Sequence, residues 1–145
     1  MSPKNRKALQ DRVSRAAEAA LHSQGYVSAV DVLLGMGWLD RSGIERWRRR
    51  QCNCLERVVM ANLSRISEAM RLFRKWAAAK GLAPSETVYV SHTRDRRRLR
   101  FSVSGDHTIE RLYRTHWVSP AQSAQKRERR EEEAKRAGAG GDSAA

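Results

Sequence analysis

The sequence predicts an α+β protein that is mainly helical, and three observations support this class. Apolar residues recur at helical spacing through most of the chain up to Lys80. From Glu86 to Val103, β-branched and aromatic residues alternate with polar ones instead. A short helical pattern follows before a charged tail. The expected architecture is a helical domain with a helix-turn-helix-like pair, one long helix, a basic and wing-like β-hairpin, and a short C-terminal helix.

The first helix is predicted from about Asn5 to Ser23. Its apolar stripe consists of Leu9, Val13, Ala16, Ala17, Ala20 and Leu21. Gly25 follows the stripe and is expected to end the helix, because glycine is the common residue just beyond a helix C-terminus.

Two short helices are predicted next. Ser28 and Asp31 have the spacing of a capping box and begin the first, which Gly35 and Gly37 end. A second capping box, formed by Ser42 and Glu45, is expected to begin the next helix. That helix would turn Ile44 and Trp47 inward and four arginines mostly outward: Arg46, Arg48, Arg49 and Arg50.

A long helix is predicted from about Leu55 to Lys80. One sustained apolar stripe comprises Leu55, Val58, Val59, Leu63, Ile66, Met70, Phe73 and Ala77. Gly81 is expected to end the helix, with Leu82 making a hydrophobic contact beyond it. The length of the stripe would also allow pairing with a second copy of the chain as a homodimer, whereas covering of the stripe by the first helix and the hairpin is the favoured interpretation.

The remaining ordered elements are a hairpin and a short helix. Strands over Glu86–Thr93 and Leu99–Val103 are expected to join near Arg94–Arg97. Asp106 is a candidate cap for a helix over Ile109–His116 that faces Ile109, Leu112 and Tyr113 inward. A helical trio followed by a basic hairpin resembles winged-helix architecture in part. The long helix between the proposed recognition helix and the hairpin departs from that pattern.

Residues 1–120 are predicted to form a single basic domain, and residues 121–145 a charged, disordered tail. A solvated helix over Gln125–Arg136 is the most structure expected in the tail, and Gly138–Ala145 is expected to be flexible.

Composition narrows the classes of function. The net charge is +13 and is supplied mostly by arginine, which favours a polyanionic partner. Cys52 and Cys54 are too close for a disulfide framework and lack zinc-knuckle spacing, so we expect a reducing compartment, no metal and no cofactor. The N-terminus lacks a signal-peptide pattern, and the apolar run Val32–Leu39 is too short for a membrane span. A cytoplasmic protein that does not contact membranes is expected, nucleoid-associated if it binds DNA.

Two groups of arginines are the candidate nucleic-acid-binding residues. The second helix of the helix-turn-helix-like pair would bind the duplex through Arg46, Arg49 and Arg50. The hairpin would contact phosphates through Arg94, Arg96, Arg97, Arg98 and Arg100. The leading hypothesis is therefore a DNA-binding protein that is not an enzyme.

Three alternatives use the same sequence features. RNA or ribosome association would use the same basic surface. A metal-independent ribonuclease would use His107 and His116 as acid and base and Arg111 or Arg114 to stabilise charge, within a cluster that also holds His92, Arg94 and Tyr113. A protein–protein adaptor would pair its long helix with an acidic partner. Tyr113 and Trp117 would stack on bases if exposed, whereas core packing is the expected role of the tryptophans.

Overall fold

Helix α1 spans Pro3–Gln24 in the computed structural model, which describes residues 2–120 and 131–136. The Ser2 side chain caps the helix by accepting a hydrogen bond from the backbone N–H of Asn5 at 3.2 Å. The predicted stripe is confirmed, since Leu9, Val13, Ala16 and Ala17 are buried. The described residues as a whole are mainly helical and include a small sheet, which confirms the predicted α+β class.

The predicted helix pair is present as α2, Ala29–Gly35, and α3, Arg41–Arg48. The Ser28–Asp31 capping box is confirmed, with both reciprocal hydrogen bonds formed. The capping box assigned to Ser42 and Glu45 is wrong, because α3 begins after Asp40. The Asp40 carboxylate accepts from the backbone N–H of Gly43 at 2.6 Å. A carboxylate also complements the positive end of the helix dipole, which favours Asp40 over Ser42 at this position.

The single long helix is wrong in its first part. Leu55–Val58 form a 3-10 turn, the chain then extends at Val59, and helix α4 spans Leu63–Ala79. The N–H groups of Leu55 and Glu56 donate to the carbonyls of residues 100 and 101 instead of to a preceding helical turn. Leu55 and Val59 are nevertheless buried, so the apolar spacing continues across a segment that is not α-helical.

The predicted end of α4 is confirmed. The N–H of Leu82 donates to the carbonyl of Ala77, and that of Gly81 to the carbonyl of Ala78, which together form a Schellman motif. Gly81 has a φ of 69°, a left-handed conformation that suits glycine. The buried Leu82 side chain supplies the hydrophobic contact that accompanies the motif.

A three-stranded antiparallel sheet joins distant parts of the chain. Its strands are β1, Tyr26–Val27; β2, Ala83–Glu86; and β3, Thr115–Val118, in the order β1-β3-β2. Strand β3 follows helix α5, His107–Tyr113, which Asp106 caps as predicted. The predicted continuation of that helix to His116 is wrong, because residues 115–118 pair with both neighbouring strands instead.

The wing-like β-hairpin is also wrong as a regular hairpin. Its two predicted arms share one isolated bridge, between Val90 and Arg98, and hydrogen bonds on either side of it. The backbone groups of residues 100 and 101 bind the 3-10 turn, and the N–H of His92 donates to the carbonyl of Arg48 at 2.7 Å. A β-rich sequence therefore forms a loop with one bridge, because residues 92, 100 and 101 bind partners outside the two arms.

The packing of the helices revises the winged-helix comparison. Helices α1, α2 and α4 pack against one another, whereas α3 packs against the 3-10 turn. Helix α4 passes directly into β2, so the helix that precedes the second strand of the sheet is α4 and not the proposed recognition helix α3. The helical trio of this comparison is therefore α1, α2 and α4.

The tryptophans contribute to the core, as predicted. Trp38 and Trp47 are buried, and Trp76 and Trp117 are half-buried against the core. Trp47 contacts Phe101 with ring centroids 5.1 Å apart, and Phe101 stacks on Tyr113 at 5.4 Å. Tyr113 is only 4% exposed, so the exposure on which base stacking depended is absent and the expected core packing is confirmed for this residue.

Residues 131–136 are helical with exposed side chains, which agrees with the predicted helix over Gln125–Arg136. The rest of the predicted tail, including Gly138–Ala145, lies outside the described residues. Within the described ranges, no helix combines the length and the apolar character that crossing a membrane requires.

Candidate nucleic-acid interface

The C-terminal end of α3 and the loop over residues 91–98 lie side by side. They bring together seven of the eight predicted binding residues, which we call the arginine face: Arg46, Arg49, Arg50, Arg94, Arg96, Arg97 and Arg98. All seven are exposed. The two groups are more than 40 residues apart in sequence and are joined by a backbone hydrogen bond and an ion pair. Phosphate-binding side chains on two elements can contact a longer stretch of backbone than one helix can.

The side chain of Arg48 connects the end of α3 to the segment that leads into the arginine-rich loop. Its guanidinium lies over the ring of Trp47 at 5.3 Å and over that of Tyr89 at 5.0 Å. It also donates to the carbonyl of Val90 at 3.2 Å. Arg48 is therefore half-buried, and its assignment to the outward-facing arginines is wrong. Nothing in the sequence distinguishes it from its arginine neighbours, since Tyr89 is brought to it only by the fold.

Arg50 and Arg96 both have left-handed backbone conformations, with φ values of 59° and 46°. Arg50 occupies the position after the C-cap of α3. There its N–H donates to the carbonyl of Trp47, and the N–H of Gln51 donates to that of Arg46. Helix α3 thus ends in the same type of Schellman motif as α4, but with Arg50 at the position that Gly81 occupies at the end of α4. Non-glycine residues with positive φ are unfavourable and are enriched at functional sites.

Asp95 is the acidic residue within the arginine-rich loop. Its carboxylate lies 2.9 Å from Arg97 and 3.8 Å from Arg50, and it accepts from the Thr93 hydroxyl at 2.6 Å. The Thr93 hydrogen bond, followed by the nearby arginines, lowers the pKa of Asp95. These exposed ion pairs are weak, so they can be exchanged for phosphate contacts.

The predicted binding arginines differ in whether their guanidinium groups already form ion pairs or hydrogen bonds within the protein. Arg49 pairs with Glu45 at 2.6 Å. Among residues 2–120 and 131–136, no ion pair involves Arg46, Arg94, Arg96 or Arg98. The guanidinium of Arg100 folds back on its own chain and donates to the carbonyls of Ser102 and Val103. It is therefore the predicted binding residue that lies apart from the arginine face.

The residues of the ribonuclease alternative are not brought into one site. His107 begins α5 and His116 lies beyond its end, and a helix of seven residues is about 10 Å long. His116 bonds to the Tyr89 hydroxyl at 2.6 Å and stacks on Tyr26. The two arginines assigned to charge stabilisation, Arg111 and Arg114, lie 3.5 Å from the Glu86 carboxylate. His92 is exposed on the loop of the arginine face.

The two cysteines are reduced and close together. Cys52 donates to the carbonyl of Cys54 at 3.5 Å, and burial raises the pKa of the Cys52 thiol. Within the described part of the chain, no three histidine, cysteine or carboxylate side chains form a group that could hold a metal ion.

An apolar cavity between α4 and α5 was not predicted from the sequence. Leu63 and Ile109, both assigned to inward-facing stripes, are 50% and 40% exposed at its edge. Its volume is about 480 Å³. The sequence gives no signal for it, because its walls come from three separate segments whose apolar residues look like ordinary core positions.

Comparison with known proteins does not extend this description: no protein-family model, curated protein or solved structure matches the chain.

Proposed function

We propose that this protein binds DNA, with the arginine face contacting the phosphate backbone of the duplex. The observation that carries the proposal is that two exposed arginine groups, distant in sequence, lie on adjoining segments joined by a hydrogen bond and an ion pair. Arginine binds phosphate in a bidentate manner and also contacts guanine edges in the major groove. A nucleoid-associated location would follow from this activity.

The way the surface is built supports this function over a solvated basic patch. Charge that serves only solubility needs no fixed geometry, yet Arg50 and Arg96 are held in unfavourable backbone conformations. The clamp by Arg48 also fixes the loop against α3. Preorganised side chains lose less conformational entropy when they bind, which increases affinity.

Helix α4 offers a second surface that could bind the same ligand. It leads directly into strand β2, which is the place of the recognition helix in a winged-helix arrangement. Its exposed cations include Arg65, Arg71 and Lys75. Arg71 is paired with Glu68 at 2.6 Å, which reduces the positive charge of this helix. We therefore assign the main contacts to the arginine face and use α4 as the competing site in the test.

The experiment compares three variants that each lose three positive charges. Each is titrated by fluorescence anisotropy against labelled duplex DNA and a structured RNA, at about 50 and 200 mM salt. The first changes the arginine face at Arg94, Arg96 and Arg98 to alanine. The second changes α4 at Arg65, Arg71 and Lys75, and the third changes exposed residues of α1 at Lys4, Arg6 and Lys7.

For about four phosphate contacts, wild-type affinity for the duplex should fall roughly 100-fold between the two salt concentrations. The arginine-face variant should lose most of its affinity, and its salt slope should fall by up to about three. The α1 variant should change little, because its charges lie on another element. The proposal would be refuted by equal losses in all three variants, or by wild-type protein that prefers RNA. A larger loss in the α4 variant would move the interface to α4.

A further inference from the structure

The cavity between α4 and α5 is lined mainly by residues of these two helices. Its α4 wall consists of Leu63, Ser67, Met70, Phe73 and Arg74. From Leu63 to Arg74 this face extends about 16 Å at the rise of an α-helix. Ile109, Leu112 and Tyr113 of α5 form the facing wall, and residues 102–104 line it as well. We call this feature the α4–α5 groove.

The groove has the size and character of a small-molecule site. Its volume of about 480 Å³ falls within the range of about 300–1,000 Å³ that such sites occupy. Leu63 and Ile109 are large apolar side chains that remain 50% and 40% exposed at its edge. Exposed apolar surface beside a concave cavity often marks a binding site.

Arg74 gives the groove its charge. Its side chain is half-buried, and among the described residues no carboxylate or carbonyl is placed to pair with it. Burial and the neighbouring Arg71 lower the pKa of the Arg74 guanidinium, so its environment disfavours the cation. An anion at this position would offset that disfavour.

The groove also contains a carboxylate, Glu56, but its oxygens are already engaged. One accepts from the backbone N–H of Val103 at 2.7 Å, and the other from the Tyr113 hydroxyl at 2.7 Å. Glu56 therefore fixes two walls of the groove together. Glu56 keeps its negative charge but is held by these two neutral donors, whereas no described ion pair or hydrogen bond holds the guanidinium of Arg74.

We propose that the α4–α5 groove binds a small amphipathic carboxylate, with its apolar chain along α4 and its carboxylate paired with Arg74. The proposal is independent of nucleic-acid binding, since none of the arginine face lines the groove. The unpaired guanidinium favours an anionic head group, and the length of the apolar wall favours an extended tail. A bidentate pairing between arginine and carboxylate would fix the orientation of the ligand.

The test measures binding of decanoate and of decanol to the full chain by isothermal titration calorimetry and by amide chemical shifts. Decanol supplies the same tail without the carboxylate. Decanoate should bind, and decanol should bind at least about tenfold more weakly, because decanol lacks the charge-assisted pair with Arg74. The shifted amides should include residues 102–104 and 109–113, which line the groove.

Two variants separate the proposed site from non-specific binding. Arg74→Met keeps an apolar wall and should weaken decanoate about tenfold while leaving decanol unchanged. Lys75→Met removes the adjacent exposed cation, which does not line the groove, and should change neither ligand. Each variant is checked by its thermal midpoint, so that a misfolded protein is not scored.

Several outcomes would overturn the proposal. One is the absence of decanoate binding to folded wild-type protein. Another is decanoate affinity that survives Arg74→Met, or that falls equally in Lys75→Met. A third is self-association in sedimentation that shifts the amide of Ile109 and is insensitive to decanoate, which would make the groove a contact between two copies of the chain. Loss of duplex binding in the arginine-face variant would leave the decanoate result unaffected, so the two proposals fail separately.

Discussion

Replacing Arg50 with glycine should increase the stability of the protein and weaken its binding to DNA. Arg50 has a φ of 59° at the end of α3, whereas the equivalent position at the end of α4 is Gly81 with a φ of 69°. A left-handed conformation costs a non-glycine residue roughly 1–2 kcal/mol. Glycine removes that cost, although its greater freedom in the unfolded chain offsets about 0.4–1 kcal/mol.

The ion pair between Arg50 and Asp95 changes this balance little. The two side chains are 43% and 49% exposed and 3.8 Å apart, so the pair contributes only a few tenths of a kcal/mol. We therefore expect Arg50→Gly to raise the free energy of unfolding by about 0.5–1 kcal/mol. For a domain of this size, that corresponds to a rise of roughly 2–4 °C in Tm.

The assay combines thermal unfolding with duplex titrations at several salt concentrations. Arg50→Gly should reduce the salt slope of binding by about one, because one phosphate contact is lost. Arg50→Ala should lose the same contact without the gain in stability, since alanine keeps the unfavourable φ. Arg49→Gly is the matched control: its φ is −87°, so glycine there should lower Tm. A Tm for Arg50→Gly at or below that of Arg49→Gly would refute the reasoning about strain, and unchanged DNA binding would refute the assigned contact.

Three further substitutions test the surroundings of the site. Asp95→Asn removes the carboxylate that pairs with two arginines of the face, so duplex affinity measured by anisotropy should rise roughly two- to fivefold at low salt; a loss of affinity would contradict this. Glu110→Ala removes an acceptor for both the N–H and the hydroxyl of buried Ser102, and urea unfolding should show a loss of about 2–3 kcal/mol, with a smaller loss for Glu110→Gln. Gly35→Ala would place a methyl group 2.8 Å from the Ala16 side chain and should cost about 1–3 kcal/mol, part of which Ala16→Gly should restore.

Local signals predicted the helices that begin and end with clear caps. The Ser28 capping box and the Gly81 terminus were both correct, because their hydrogen bonds join residues close in sequence. The start of α4 was wrong because Leu55 and Val59 fill core positions from a 3-10 turn and an extended residue. Apolar periodicity reports burial, and here burial continues where the helix does not.

The candidate site could be predicted as a list of residues but not as a surface. Arginine content identified the members of the arginine face, and their exposure agrees with that list. Their proximity depends on the hydrogen bond between residues 48 and 92, which no local pattern indicates. The hairpin failed for the same reason: Glu56 binds the carbonyl of residue 101, which continued pairing of the two arms would have used, and Leu55 binds that of residue 100.

The central strand of the sheet has a consequence for how a newly made chain reaches this fold. Strand β3 pairs with β1, which follows α1, and with β2, which follows α4, yet it is synthesised after both. A nascent chain that has not yet reached Thr115 therefore carries two strands whose common partner is missing. The helices can pack early through local contacts, whereas the sheet forms last and over the longest separations in sequence. A chain cut short before this strand would keep every residue of the arginine face but would leave two strand edges open to pairing with other chains.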